Sequence, residues 1–203
     1  MMKDNYRIAS YCHIKNNEIS LNGALIFKGE GPFKTFIKMA YQHFAVDYPK
    51  FFKMDNLSKL AFMAGDVLLK HEKVSPEQEE NIAIVFSNRA SSLDTDRKHQ
   101  ESIQDVTAYY PSPAVFVYTL PNICIGEISI KYKLYSENSF FIFDAFNPDY
   151  LFEYSSSILD SGKAEKVLCG WVDFDEENYE AFIYLVSREG SFIHSTEEIK
   201  RLY

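Results

Sequence analysis

The chain has 203 residues, of which 46% are hydrophobic and 16% aromatic, ample material for a real core, so an intrinsically disordered protein is excluded. That length fits one domain, or one large domain with a short appendage. The formal net charge of -8 and the pI near 5.2 come with no dense Lys/Arg cluster, so the cationic footprint of a nucleic-acid binder is missing.

The start, Met1-Met2-Lys3-Asp4-Asn5-Tyr6-Arg7, has no apolar signal core behind its charges. Three widely spaced cysteines, Cys12, Cys124 and Cys169, form neither a disulfide framework nor a zinc pattern, and a reducing cytoplasm is the expected setting.

In chain order, Tyr6 to Ile14 and Ile19 to Phe27 read as strands joined by a turn at Asn16-Asn17. Gly29, Gly31 and Pro32 break the chain before a helix whose apolar positions are Phe33, Phe36, Ile37, Ala40 and Phe44. Asp55 is placed to cap a second helix with Leu57, Leu60, Ala61, Ala64 and Leu68 on one face. The run Ile82 to Ser87 is apolar enough for a strand covered on both faces. Ser91-Ser92-Leu93-Asp94-Thr95 opens a polar helix reaching about Val106. From Val106 to Gly126 no residue is charged, but Pro111, Pro113 and Pro121 would leave backbone groups unpaired in lipid. The stretch is therefore expected inside the protein, with no membrane span.

Two readings compete between Pro121 and Leu134. Ile128, Ile130, Tyr132 and Leu134 alternate with Ser129, Lys131 and Lys133 as in a strand, whereas Pro121 suits a first helical turn. Beyond it, Phe140 to Phe143 reads as another doubly covered strand and Pro148 to Leu159 as a helix ended by Gly162. Lys166 to Asp173 and Ala181 to Ser187 are the last strands, joined by the acidic turn Asp175-Glu176-Glu177-Asn178. Strands alternating with helices imply a layered α/β fold.

No pair among His13, His43, His71, His99 and His194 has metal-ligand spacing, and no cofactor is expected. Asp94 and Asp96 fit helix capping better than catalysis. Asp173, Asp175, Glu176 and Glu177 lack the spaced ligands of a calcium loop. Cys124 and Cys169 lie among apolar neighbours, where a thiol is unreactive. Cys124 with His99 and Asp96 is the set left for an acyl-thioester hydrolase or acyltransferase, and a homodimeric acyl-binding protein is a further alternative.

Several segments, taken in series, resemble the N-terminal half of β-ketoacyl synthases. Met54-Asp55-Asn56-Leu57-Ser58-Lys59-Leu60-Ala61 is similar to an early helix of that family, and Ile82 to Asn88 to its second strand, without the family's glycine. Pro113 to Asn122 resembles the loop and helix start before the nucleophile strand. Ile158-Leu159-Asp160-Ser161-Gly162 followed by Glu165-Lys166-Val167-Leu168-Cys169-Gly170 resembles the helix behind the nucleophile and the glycine-bearing strand after it.

The resemblance covers about Tyr6 to Ser187, leaving 188–203 as a tail of a single 1–203 domain. It implies an α/β, thiolase-like N-terminal half: α/β/α layers around a mixed, mostly parallel sheet, with a helix from about Asn122 to Leu134. It places the nucleophile at the turn Phe143-Asp144-Ala145-Phe146-Asn147-Pro148. Counting back from Gly162 gives Ala145, counting forward from the strand gives Phe146, and neither can attack a thioester. The family's two catalytic histidines belong to a C-terminal half absent from these residues. The resemblance thus implies a subunit without catalytic residues, beside a full-length ketosynthase or an acyl carrier protein. It further implies a homodimer or heterodimer, with Phe140, Phe141, Ile142 and Phe143 as the strand that meets its mate at a two-fold axis.

Overall fold

A computed structural model describes residues 6–107 and 109–203, so the reading of residues 1–5 lies outside the described residues. The chain runs through β1 (Arg7–Lys15), β2 (Glu18–Leu21), β3 (Ala24–Lys28), α1 (Phe33–His43), a 3-10 turn (Pro49–Lys53), α2 (Asn56–His71) and β4 (Ile82–Asn88). Next come α3 (Leu93–Ile103), α4 (Pro113–Phe116) with a 3-10 turn (Val117–Thr119), α5 (Ile123–Tyr132), β5 (Asn138–Ile142) and α6 (Pro148–Asp160). The hairpin β6 (Lys166–Asp175) and β7 (Asn178–Ser187), then β8 (Phe192–Ile193) and α7 (Thr196–Leu202), complete it.

All eight strands join one sheet in the order β3-β2-β1-β7-β6-β4-β5, with β8 against β1. The sheet is mixed, as expected, but the expectation of mostly parallel pairing needs correction. β1, β3, β4, β5 and β6 run one way and β2, β7 and β8 the other, yet only β4–β5 and β4–β6 pair in parallel. The reason is local connectivity: three two-residue hairpin turns (β1–β2, β2–β3 and β6–β7), with β7 and β8 both returning against β1, make the remaining ladders antiparallel.

The sheet is the middle of three layers. In β4, Ile82, Ile84 and Phe86 face the core shared with α1, α2 and α5, while Ala83 and Val85 face α6 and α7. Period-two alternation puts neighbouring apolar residues into opposite cores, which is why an unbroken apolar run is stable there. The close approach of β6 and β7 requires glycine at 170, where a Cβ would lie 2.2 Å from the Phe182 carbonyl oxygen. On the other side, Asp55 caps α2 by accepting from the Ser58 N–H at 2.9 Å and accepts from Thr95 Oγ1 at 2.7 Å, tying α2 to α3.

The helix expected at 122–134 is present as α5, against the alternating pattern of its residues. Asn16-Asn17 turns the first hairpin with φ of 53° and 60°. The single strand expected at Ile19–Phe27 is instead β2 and β3, split at Asn22-Gly23, whose φ values of 51° and 81° make the two-residue turn that matches strand twist. The tail expected at 188–203 carries β8 and α7, with Ile199 and Leu202 buried in the core. The segment expected inside the protein is largely on its surface: Val106 is 90% exposed, Tyr110 80% and Phe116 58%. Among the described residues no single helix is long and apolar enough to cross a membrane.

Candidate functional site

β1, β4, β5 and β6 share one direction, so their carboxyl ends gather at one rim, the position where open α/β sheets place ligands. The turn between β5 and α6 stands on that rim. Phe143 N–H donates to the Asn88 carbonyl at 2.9 Å, continuing the parallel ladder by one residue. Asn147 then caps α6, accepting from the Tyr150 N–H at 3.1 Å, and Pro148 fills the first helical position. Ala145 is exposed, whereas the Phe146 ring lies 4.3 Å from Tyr203, 5.7 Å from Phe182 and 6.3 Å from Trp171 between ring centroids. Between Phe143 and Pro148 there is no thiol or hydroxyl, and the inward space is taken by an aromatic ring.

Glu180, on β7, anchors the neighbourhood of that ring. Burial pushes its carboxyl up, but hydrogen bonds from His13, Lys15 and Tyr203 outweigh burial and bring it down to about 2. His13 Nε2 is 2.9 Å and Lys15 Nζ 2.8 Å from Oε1, and the Tyr203 hydroxyl donates to Oε2 at 2.7 Å. Beside it a cleft of about 540 Å³ opens between the two hairpin turns, lined by Asn17, Phe33, Trp171 and Tyr179 among others.

Three residues of the acidic run near this rim, Asp173, Asp175 and Glu177, are engaged in internal bonds. Asp173 Oδ1 accepts from the backbone N–H groups of Arg89 and Ala90 at 3.1 and 2.9 Å, Asp175 pairs with Arg97, and Glu177 accepts from the Phe33 N–H at the start of α1 at 3.0 Å. Among the described residues no group of three or more His, Cys, Asp or Glu is arranged to hold a metal ion.

Cys124 is fully buried on α5, and burial, with the Asp55 charge adding to it, pushes its thiol well above the ordinary range. Asp96 accepts from Ser92 Oγ at 3.2 Å and His99 packs on Phe116 with ring centroids 5.3 Å apart; among the described residues neither is hydrogen-bonded to Cys124. Asp94 pairs with Lys98 at 2.6 Å on the first turns of α3. Sequence reading missed one contact, Ser155 Oγ at 3.3 Å from His194 Nε2. Ser155 is fully buried and donates to the Leu151 carbonyl at 2.7 Å, and burial lowers the His194 pKa to about 4, so this pair packs α6 against the chain that follows β8. Nothing in the spacing of positions 155 and 194 signals it, since the pair forms only when the last residues fold back.

Phe140 to Phe143 run along the sheet edge, and the expected cover on both faces is there in part. β5 pairs with β4 alone among the described residues. Phe140 leans on the α5 side, Phe141 and Phe143 pack on Tyr150 at 4.9 and 5.1 Å, and Ile142 is half exposed. The outer backbone of β5 therefore lacks the partner that an apolar edge needs.

No family model matches the chain, and no curated protein matches it. Solved structures do. The ishigamide ketosynthase/chain length factor superposes with a TM-score of 0.64 at 14% identity, over 90% of this chain and 62% of that one. A ketosynthase (ApeO) in complex with its chain length factor (ApeC) from Xenorhabdus doucetiae gives 0.61 at 13%, over 98% of this chain and 90% of that one. A β-ketoacyl synthase from Burkholderia phymatum gives 0.59 at 10%, over 90% and 59%. This chain thus spans about six-tenths of the first of these proteins, and it has the α/β, thiolase-like fold of ketosynthases and chain length factors.

Proposed function

We propose that a chain with this fold and no nucleophile at its strand-to-helix turn is a non-catalytic synthase-like subunit. It serves fatty-acid or polyketide biosynthesis of the lipid or pigment type, paired with a full-length condensing enzyme, an acyl carrier protein, or both. The observation that carries the reading is the turn itself. Where the family resemblance puts an activated cysteine, Asp144, Ala145, Phe146 and Asn147 stand, and the Phe146 ring packs on Tyr203 and Phe182. Covalent acyl transfer needs a nucleophile of lowered pKa at such a turn, and the buried thiol of Cys124 has its pKa moved the other way.

The choice of partner draws on two supports. The similar structures include a ketosynthase described in complex with its chain length factor. This chain also leaves uncovered the surface such a partner needs: the open edge of β5 with Ile142, and the exposed Phe116, Val117 and Leu120 beyond α3. A homodimer through the same edge is the alternative assembly.

Intact-mass measurement after incubation with short acyl thioesters tests the absence of catalysis. The mass is expected to stay unchanged. A stoichiometric acyl adduct that disappears in Cys124→Ala would replace this reading with an acyltransferase or hydrolase.

A further inference from the structure

α5 is a helix that its own residues do not favour. Ile123, Ile125, Ile128 and Ile130 are β-branched and lose side-chain freedom in a helix. Gly126 lies in its interior, where an added Cβ would meet nothing within 4 Å, so no close approach demands glycine there. Ten residues are also too few for a helix to persist unaided.

Two residues one turn apart supply what propensity does not. Glu127, buried to 2% exposure, accepts from the Tyr48 hydroxyl at 3.1 Å and the Tyr118 hydroxyl at 3.0 Å, and pairs with Lys50 at 2.9 Å. Lys131 donates to the Asp47 carbonyl at 3.0 Å, faces the buried Asp66 carboxylate at 3.7 Å, and lies 5.7 Å from the centre of the Tyr48 ring. Tyr48 is thus held by both residues. Residues four apart come within roughly 6 Å of each other on a helix, but lie about 13 Å apart on an extended chain. In this geometry, with Glu127 on the Tyr48 hydroxyl and Lys131 over its ring, the shared contact favours a helical α5.

We propose that α5 is a conditionally helical segment, locked by Glu127 and Lys131 through Tyr48, and that it is the first part of the layer beside α2 to open when the lock is lost. The lock is costly to break because removing Glu127 strands the Tyr118 hydroxyl inside the protein.

Hydrogen–deuterium exchange on the full chain tests this. Gly126→Ala adds helix propensity without a clash and is expected to raise protection of the Ile125–Tyr132 amides roughly fivefold, leaving β4 and β6 unchanged. Glu127→Leu is expected to lower α5 protection at least tenfold (~1.4 kcal/mol), again with β4 and β6 unchanged, and Gly126→Ala added to it is expected to recover most of that loss. Unchanged α5 exchange in Glu127→Leu, or an equal fall across α5, β4 and β6, would overturn the proposal. If Glu127→Leu does not fold, Gly126→Ala alone decides: no selective gain in α5 overturns it.

Discussion

β4 and β5 are neighbours in the sheet, parallel, and nearly indistinguishable in sequence as apolar runs, yet they live in different surroundings. All seven residues of β4 are buried, shared between two cores. β5 has one strand neighbour, three half-buried residues and two exposed ends. The contrast teaches that an apolar run reports a need for cover and not where the cover comes from. For β4 it comes from the chain's own helices; for β5 the described residues supply it only in part.

The largest effect is expected in β4: Phe86→Ala should cost about 3–5 kcal/mol of unfolding free energy in urea titration, because the Phe86 side chain is fully enclosed. A loss below about 1 kcal/mol would mean β4 is no more interior than β5.

An intermediate effect concerns the layer behind both strands, where His194 holds α6. Its folded pKa of about 4 lies below the ordinary 6.5, so the unfolded chain binds the proton first. The neutral-His contribution is whole above about pH 6.5 and is lost as the pH falls toward 4. The protein should be roughly 2 kcal/mol less stable at pH 5 than at pH 8, and His194→Asn should remove that part of the dependence. An unchanged slope in the variant would reassign the pH sensitivity to other groups.

The smallest effect on stability is expected at the edge. Ile142→Lys should change the unfolding free energy by less than about 1 kcal/mol, since Ile142 is half exposed, while reducing association through β5. A large stability loss with unaltered association would put Ile142 in a core of the single chain.

Much of the fold was legible because its signals are local. Asp55 before an amphipathic run, Asn147-Pro148 before α6 and the acidic turn of the last hairpin all act within a few residues. Asn22-Gly23 was equally local and was passed over because the apolar residues on either side read as one strand. α5 was misleading in its own residues, since Glu127 and Lys131 stabilise the helix through Tyr48, roughly eighty positions earlier in the chain. The uncharged Val106–Gly126 stretch is expected inside the protein from its composition, but composition does not separate a core residue from an exposed one. The resemblance picks out the turn Phe143 to Pro148 and leaves Ala145 and Phe146 as alternative positions within it. What the structure adds is that Phe146 points into an aromatic cluster completed by Tyr203, from residues read as a tail.

The proposed subunit role requires that another synthase-fold chain cover the β5 edge. Light scattering after size exclusion, at micromolar concentration, measures it directly on the chain alone and mixed with the full-length ketosynthase of the same organism. A stable complex of defined mass with the ketosynthase, or a homodimer in its absence, is expected, with a shift toward monomer in Ile142→Lys. A well-behaved monomer under both conditions would contradict it.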